Sequence, residues 1–251
     1  MGTVTDFSTL TGRPTKITAR GFGWTHAGRT QPALADIDLV IEPGERVLLC
    51  GDSGSGKSTF LAAIAGVLGS DEEGTRTGEI LLEDSTGAVE EPGHSIPVGL
   101  VLQDPDSQVI SARVGDDIAF GCENLAYPRE EIWRRVAAAK DLVGPFVDLD
   151  FPTERLSGGQ KQRLALAGVI AMGAGVVLLD EPTANLDPAG ARDVVRAVSA
   201  LVEETGATLV VVEHQHTAWE GLLDRAVEIA QGCIVADGPF EQVARRRRVE
   251  G

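Results

Sequence analysis

The sequence predicts an α/β fold in which a mainly parallel sheet is covered by helices, an antiparallel β layer comes first, and a helical subdomain is inserted part-way along. Three observations carry this. The apolar runs RVLLC, VVLLD and TLVVV read as strands buried on both faces, as in parallel sheets. They alternate with helical periodicity, clearest in PAGARDVVRAVSALVEET. Between Gln103 and Arg155 strand signals nearly vanish, and EEIWRRVAAAKDLVG repeats apolar residues at three and four.

Residues 1–15, rich in Thr, Gly and Ser without periodicity, are expected to form a loose leader, followed by one domain over 16–251. ITARGFGW and IDLVI flank a Gly-containing loop and predict an antiparallel hairpin. RVLLCG, a Gly-rich stretch and KSTFLAAIAGVL make a strand, loop and helix. GEILL and VGLVLQ are two more strands, separated by a polar stretch from Glu83 to Pro97 that reads as an exposed loop. The helical subdomain is expected over roughly 104–160. A helix after Ser157, the strand VVLLD, a long helix, the strand TLVVVEH, a hairpin in AVEIAQGCIVADG and a terminal helix complete the chain.

With 251 residues the chain is long enough to bury a sizeable core. Its 22 Lys and Arg against 38 Asp and Glu give a net charge of −16, which opposes attraction to phosphate backbones and disfavours general nucleic-acid binding. Cys50, Cys122 and Cys233 lie far apart without metal-ligand spacing, a pattern suited to a reduced compartment. No basic stretch followed by an apolar run opens the chain, and no uncharged segment approaches the ~18 apolar residues a span needs. The expectation is a soluble chain that reaches a membrane only by docking onto other subunits.

GDSGSGKST, comprising Gly51, Asp52, Ser53, Gly54, Ser55, Gly56, Lys57, Ser58 and Thr59, has the glycine spacing of a phosphate-binding loop and sits where strand meets helix. Glycines let the backbone wrap an anion so that N–H groups and the positive helix end face phosphate oxygens. Lys57 supplies charge to the β- and γ-phosphates of ATP, and Ser58 a hydroxyl to Mg²⁺. VVLLDEP ends a strand in two acids that point in different directions. Asp180 is the candidate to reach Mg²⁺, directly or through water, and Glu181 the candidate general base. In LSGGQ, Ser157, Gly158, Gly159 and Gln160 form a second anion site at a helix start.

With these motifs in order, the chain resembles the ABC ATPase family, whose fold is a P-loop NTPase (RecA-like) core. The resemblance implies that LSGGQ closes over ATP held by a second ABC ATPase subunit, making a dimer with two sandwiched nucleotides. It implies further roles by position. Trp24 in FGW stacks on adenine, the alternative being a half-buried strand aromatic. Gln103 senses Mg²⁺ and links the core to the helical subdomain. Asp187 in ANLD is the polar contact of a loop crossing the dimer interface. His214 hydrogen-bonds the γ-phosphate, whereas His216, His26 and His94 read as surface histidines. Glu213 and Gln215 stand where the family usually has Thr and Asp.

VLQDPDSQVIS and VGDDIAFGCENLAYPREEI narrow the resemblance to the ATPases of energy-coupling factor transporters, importers of vitamins and transition-metal ions. That implies a peripheral subunit at the cytoplasmic face of the membrane, docked on an integral membrane scaffold and acting indirectly on a substrate-binding membrane protein. Many such ATPases carry an extra C-terminal segment, whereas this sequence stops soon after Arg245 to Arg248. It either lacks that segment or is one half of a fused tandem protein. The arginines read as a solvated helix end or as a contact to lipid or partner. The competing classes are the ATPase of a conventional ABC transporter, a DNA-processing ABC ATPase, for which long inserts are missing, a P-loop kinase or GTPase, for which LSGGQ has no purpose, and a non-hydrolytic ATP binder. Glu181 and Gln103 argue against the last.

Overall fold

The structure is a computed structural model that describes Leu10 and residues 12–69, 73–144, 147–214 and 216–244. Its central layer is a six-stranded sheet of β3 (Arg46–Cys50), β6 (Val98–Val101), β7 (Val176–Asp180), β8 (Thr208–Val212), β9 (Arg225–Ala230) and β10 (Cys233–Pro239). The spatial order is β10-β9-β3-β8-β7-β6, parallel throughout except for the β9–β10 hairpin. A second sheet of β1 (Lys16–His26), β2 (Leu34–Ile41), β4 (Gly74–Glu83) and β5 (Val89–Glu90) is antiparallel in the order β2-β1-β4-β5. The short β5 lies inside the stretch expected to be all loop.

The pleat sorts the core into two layers. Val47 and Leu49 of β3, with Leu178 of β7 and Val210 of β8, face α1 (Lys57–Ile64) and the inner side chains of the antiparallel sheet, Ile17, Phe22, Ile37 and Leu82. Leu48 and Cys50, with Val177, Leu179 and Val211, face the opposite way onto the remaining helices. These are α2 (Val114–Asn124), α3 (Arg129–Leu142), α4 (Gly158–Met172) and α5 (Pro188–Thr205). Residues buried on both sides explain why β7 and β8 carry continuous apolar runs instead of alternation.

Local chemistry sets the helix ends. Asp116 and Asp117 occupy the first turn of α2, and Glu130 and Glu131 that of α3, where the positive helix end favours acids. Ser157 and Gln160 form a reciprocal capping box on α4. Asp187 caps α5, with Pro188 in its first turn and Gly206 in the left-handed conformation at its end. The helix α1 stops at Ile64, earlier than the apolar run suggests, and Gly66 then takes φ +71°.

The leader is less loose than expected at its C-terminal end. Leu10 and Thr15 are buried, the Thr15 N–H donates to Thr208 Oγ1, and that hydroxyl donates to Thr15 O at 2.6 Å. Gly175 permits this approach, since a Cβ there would lie 2.1 Å from Arg13 O. Gln215, the side chain of His216 and Arg245 to Arg248 lie outside the described residues. Among the described residues no helix is long and apolar enough to cross a membrane.

Candidate functional site

Parallel strands place whatever follows them at one edge of the sheet, and here four loops meet there. The loop 51–56 follows the central β3, Asp180 ends β7, Gln103 lies just beyond β6, and His214 lies two residues beyond β8, which runs between β3 and β7.

The phosphate loop is built so that only glycine fits at two positions. Gly51 has φ +149°, and a Cβ on it would lie 2.1 Å from Ile229 O; Gly56 has φ +108°, and its Cβ would lie 2.5 Å from Ala33 O. Gly54, at φ +75°, faces open space. Gly232 N–H donates to Ser55 O and anchors the loop on the β9–β10 turn. The buried ammonium of Lys57 donates to the carbonyl oxygens of Gly51 at 3.0 Å and Asp52 at 2.8 Å, which holds it across the loop. Asp52, Ser53 and Ser58 are exposed and Thr59 half-buried on α1.

Ser58 donates its hydroxyl to Asp180, whose carboxyl is pushed above the usual carboxylate range by burial, with Glu181 adding repulsion. Next to it Glu181 is gripped at both oxygens: Gln103 Nε2 donates to Oε2 at 3.1 Å, and His214 Nε2 lies 2.9 Å from Oε1. Its backbone has φ +47°, and its N–H donates to Val212 O. Gln103, Asp180, Glu181 and His214, predicted from separate motifs, thus form one cluster.

A cradle of glycine amides, the buried Ser55 hydroxyl, which has no partner among the described residues, and the ammonium of Lys57 fit a polyphosphate. The hydroxyl of Ser58 beside the carboxyl of Asp180 is a hard-oxygen donor set that fits Mg²⁺.

The signature residues lie elsewhere. Ser157, Gly158, Gly159, Asn185, Asp187 and Gly190 line a cavity of about 400 Å³ that no phosphate-loop residue enters. Ser157 Oγ accepts from Gln160 N–H, and Gln160 Oε1 accepts from Ser157 N–H. Asp187 Oδ1 accepts from Gly190 N–H at 3.0 Å, so the side chain expected to cross an interface also caps its own helix.

Trp24 is more deeply buried than a half-buried strand aromatic. It is 4% exposed and packed in the core, its Nε1 donates to His26 Nδ1, and it contributes, with Phe22 and Arg76, to the lining of a cavity of about 500 Å³. The cause of the burial is Gly74 on the neighbouring strand, where a Cβ would lie 2.3 Å from the indole.

Sequence reasoning passed over the tethers behind these groups. Gln162, buried on α4, donates to Leu102 O at 3.0 Å and Gln103 O at 3.4 Å. Gln108 exchanges hydrogen bonds with the backbone of Leu102, and Lys161 pairs with Asp106. The signal was a second Gln one turn into the helix after LSGG. It resembles any solvated helix residue until α4 is docked.

The fold and this arrangement define a P-loop nucleotide-binding domain of the ATP-binding cassette kind. A family model described as ABC transporter matches residues 34–184, and the chain belongs to that family. It is 38% identical over 227 residues to the energy-coupling factor transporter ATP-binding protein EcfA1 of Caldanaerobacter subterraneus, covering 88% of this chain and 78% of that one. It is 39% identical over 226 residues to an ABC transporter ATP-binding protein of Methanosarcina acetivorans, covering 90% of this chain but only 35% of that relative's length. Among solved structures, cbiO1 of Clostridium perfringens, part of the ABC transporter complex cbiONQ, superposes with a TM-score of 0.77 at 30% identity, covering 95% of this chain and 93% of that one. The chain is thus a member of the ABC transporter family, similar to an ATP-binding protein of an energy-coupling factor transporter.

Proposed function

We propose that this chain hydrolyses ATP to power import through an energy-coupling factor transporter, the cargo being a vitamin or a transition-metal ion. The observation that carries the hydrolytic half is the Glu181 carboxylate, held by Gln103 and His214 beside Asp180 at the mouth of the phosphate loop. The loop amides and Lys57 bind the phosphates, and Ser58 and Asp180 hold Mg²⁺, which when bound neutralises phosphate charge. Glu181 orients the attacking water and accepts its proton. His214 donates to the γ-phosphate, and Gln103 ties the cluster to the helical subdomain.

Two such subunits close on ATP through Ser157, Gly158, Gly159, Gln160 and Asp187. The glycines support this reading. A Cβ on Gly158 would approach nothing nearer than 3.5 Å and one on Gly159 nothing nearer than 3.6 Å, so this chain's own fold does not demand glycine at either position. A close approach by a partner's nucleotide does. Leu102, Ile110, Phe120 and Trp133 are exposed apolar side chains on and around the helical subdomain, and they offer an integral membrane scaffold its docking surface at the cytoplasmic face.

Affinity purification with membrane partners, followed by ATPase assay of the complex and of the isolated chain, tests both halves. Recovery of a small integral scaffold with a substrate-binding membrane protein is expected, and a conventional permease pair would overturn the importer type. Glu181→Gln should bind ATP yet hydrolyse it roughly 10²-fold more slowly. Hydrolysis at the wild-type rate would remove Glu181 from its role.

A further inference from the structure

We infer that Glu213 is a positioning residue, which locks the turn carrying Glu181 onto the strand end carrying His214. Its carboxylate is 4% exposed, and Oε1 accepts from the Thr183 N–H at 3.1 Å and from the Thr183 hydroxyl. The N–H of His214 donates to the same carboxylate. The residues on either side complete a three-point grip: Val212 O accepts from Glu181 N–H, and His214 Nε2 lies 2.9 Å from Glu181 Oε1. Three consecutive residues at the end of β8 therefore hold Glu181 and Thr183, and the turn they hold runs through bonds from Ala184 N–H to Glu181 O and from Leu186 N–H to Thr183 O towards the Asp187 cap.

Glu213 is a costly choice for mere filling. Burial pushes its carboxyl above the usual carboxylate range, its hydrogen bonds come from neutral donors, and Glu181 adds repulsion. What the carboxylate supplies is two acceptor bonds to one residue, which fixes both the backbone and the side chain of Thr183. Glu181 sits two residues earlier at φ +47°, a conformation that persists only when its surroundings over-determine it.

The inference rests on the reading of Glu181 as the group that orients the attacking water. Steady-state phosphate release and affinity for a fluorescent ATP analogue, measured on the full chain, test it. Glu213→Ala should lower kcat roughly 10- to 100-fold through misplacement of the carboxylate while nucleotide affinity stays at the wild-type value. Glu213→Gln, whose amide oxygen still accepts from Thr183, should recover most of that rate. Adding Thr183→Ala to Glu213→Ala should cost little more, because the two share one interaction. Wild-type kcat in Glu213→Ala, equal losses in affinity and kcat, or a Gln variant no better than the Ala variant would each overturn the assignment. Should Glu213→Ala not fold, Thr183→Val, which keeps the shape and loses the hydroxyl donor, decides by whether kcat falls. With Glu181→Gln run alongside, an active Glu181→Gln removes the underlying reading; an inactive one with a normal Glu213→Ala removes this inference alone.

Discussion

Glu181 N–H bonds to Val212 O as though β7 continued, while its carbonyl turns back to accept from Ala184 N–H, and a left-handed backbone joins the two demands. That conformation costs a non-glycine residue about 1–3 kcal/mol, which the surrounding bonds offset. Glycine would relieve it and lose the carboxylate. Trp24 is the opposite kind of residue, a large side chain whose value is volume. It is 4% exposed against Gly74 and Leu34, so Trp24→Ala should cost about 3–5 kcal/mol by opening a cavity. Denaturant unfolding monitored by far-UV circular dichroism measures this. An unfolding midpoint equal to that of the wild type, with nucleotide affinity reduced, would restore Trp24 to the base-stacking role. The difference between the two residues was only partly legible in the sequence. An acid pair ending an apolar strand is a local pattern, whereas the burial of Trp24 depends on a glycine fifty residues downstream that pairs with β1 through the sheet.

At the scale of elements, glycine serves two purposes that sequence spacing does not separate. Gly56 opens α1 at φ +108° with Ala33 O within 2.5 Å of any Cβ, so the fold itself excludes a side chain. Gly158 opens α4 with nothing nearer than 3.5 Å. Gly56→Ala should therefore lower the melting temperature, by an amount equivalent to about 1–3 kcal/mol of backbone strain. Gly158→Ala should melt within error of the wild type yet lose ATP turnover. Differential scanning calorimetry beside phosphate release separates them, and a Gly158→Ala chain that is both stable and fully active would remove the signature from the reaction. The elements themselves were largely readable, because β3, β7 and β8 are apolar along their whole length and α5 carries its cap, Pro and terminal Gly in sequence. The short β5 and the early end of α1 were not. The first exists only through pairing with β4, and the second through a close approach, in which a Cβ on Gly66 would lie 2.4 Å from Gly93 N.

At the scale of the molecule, the proposed function gives a single chain two half-sites that do not meet: the phosphate loop with its acids at one edge of the parallel sheet, and the cavity lined by Ser157, Gly158 and Asp187. Two-fold pairing of identical patches would bring each half-site of one copy against the other half-site of its neighbour. That geometry makes complementation decisive. A chain with Glu181→Gln keeps a sound signature, and a chain with Gly158→Asp, which places a carboxylate where a phosphate should approach, keeps a sound Glu181. In a mixed dimer one site combines both defects and the other combines neither. If the chain pairs with itself, mixing the two inactive variants at equal concentration should give about a quarter of wild-type turnover, since about half of all dimers are mixed and each has one sound site of two. A signature acting within its own chain leaves every site with one defect, and the mixture stays as inactive as its parts. Phosphate release from the mixture, compared with each variant alone, distinguishes the two arrangements.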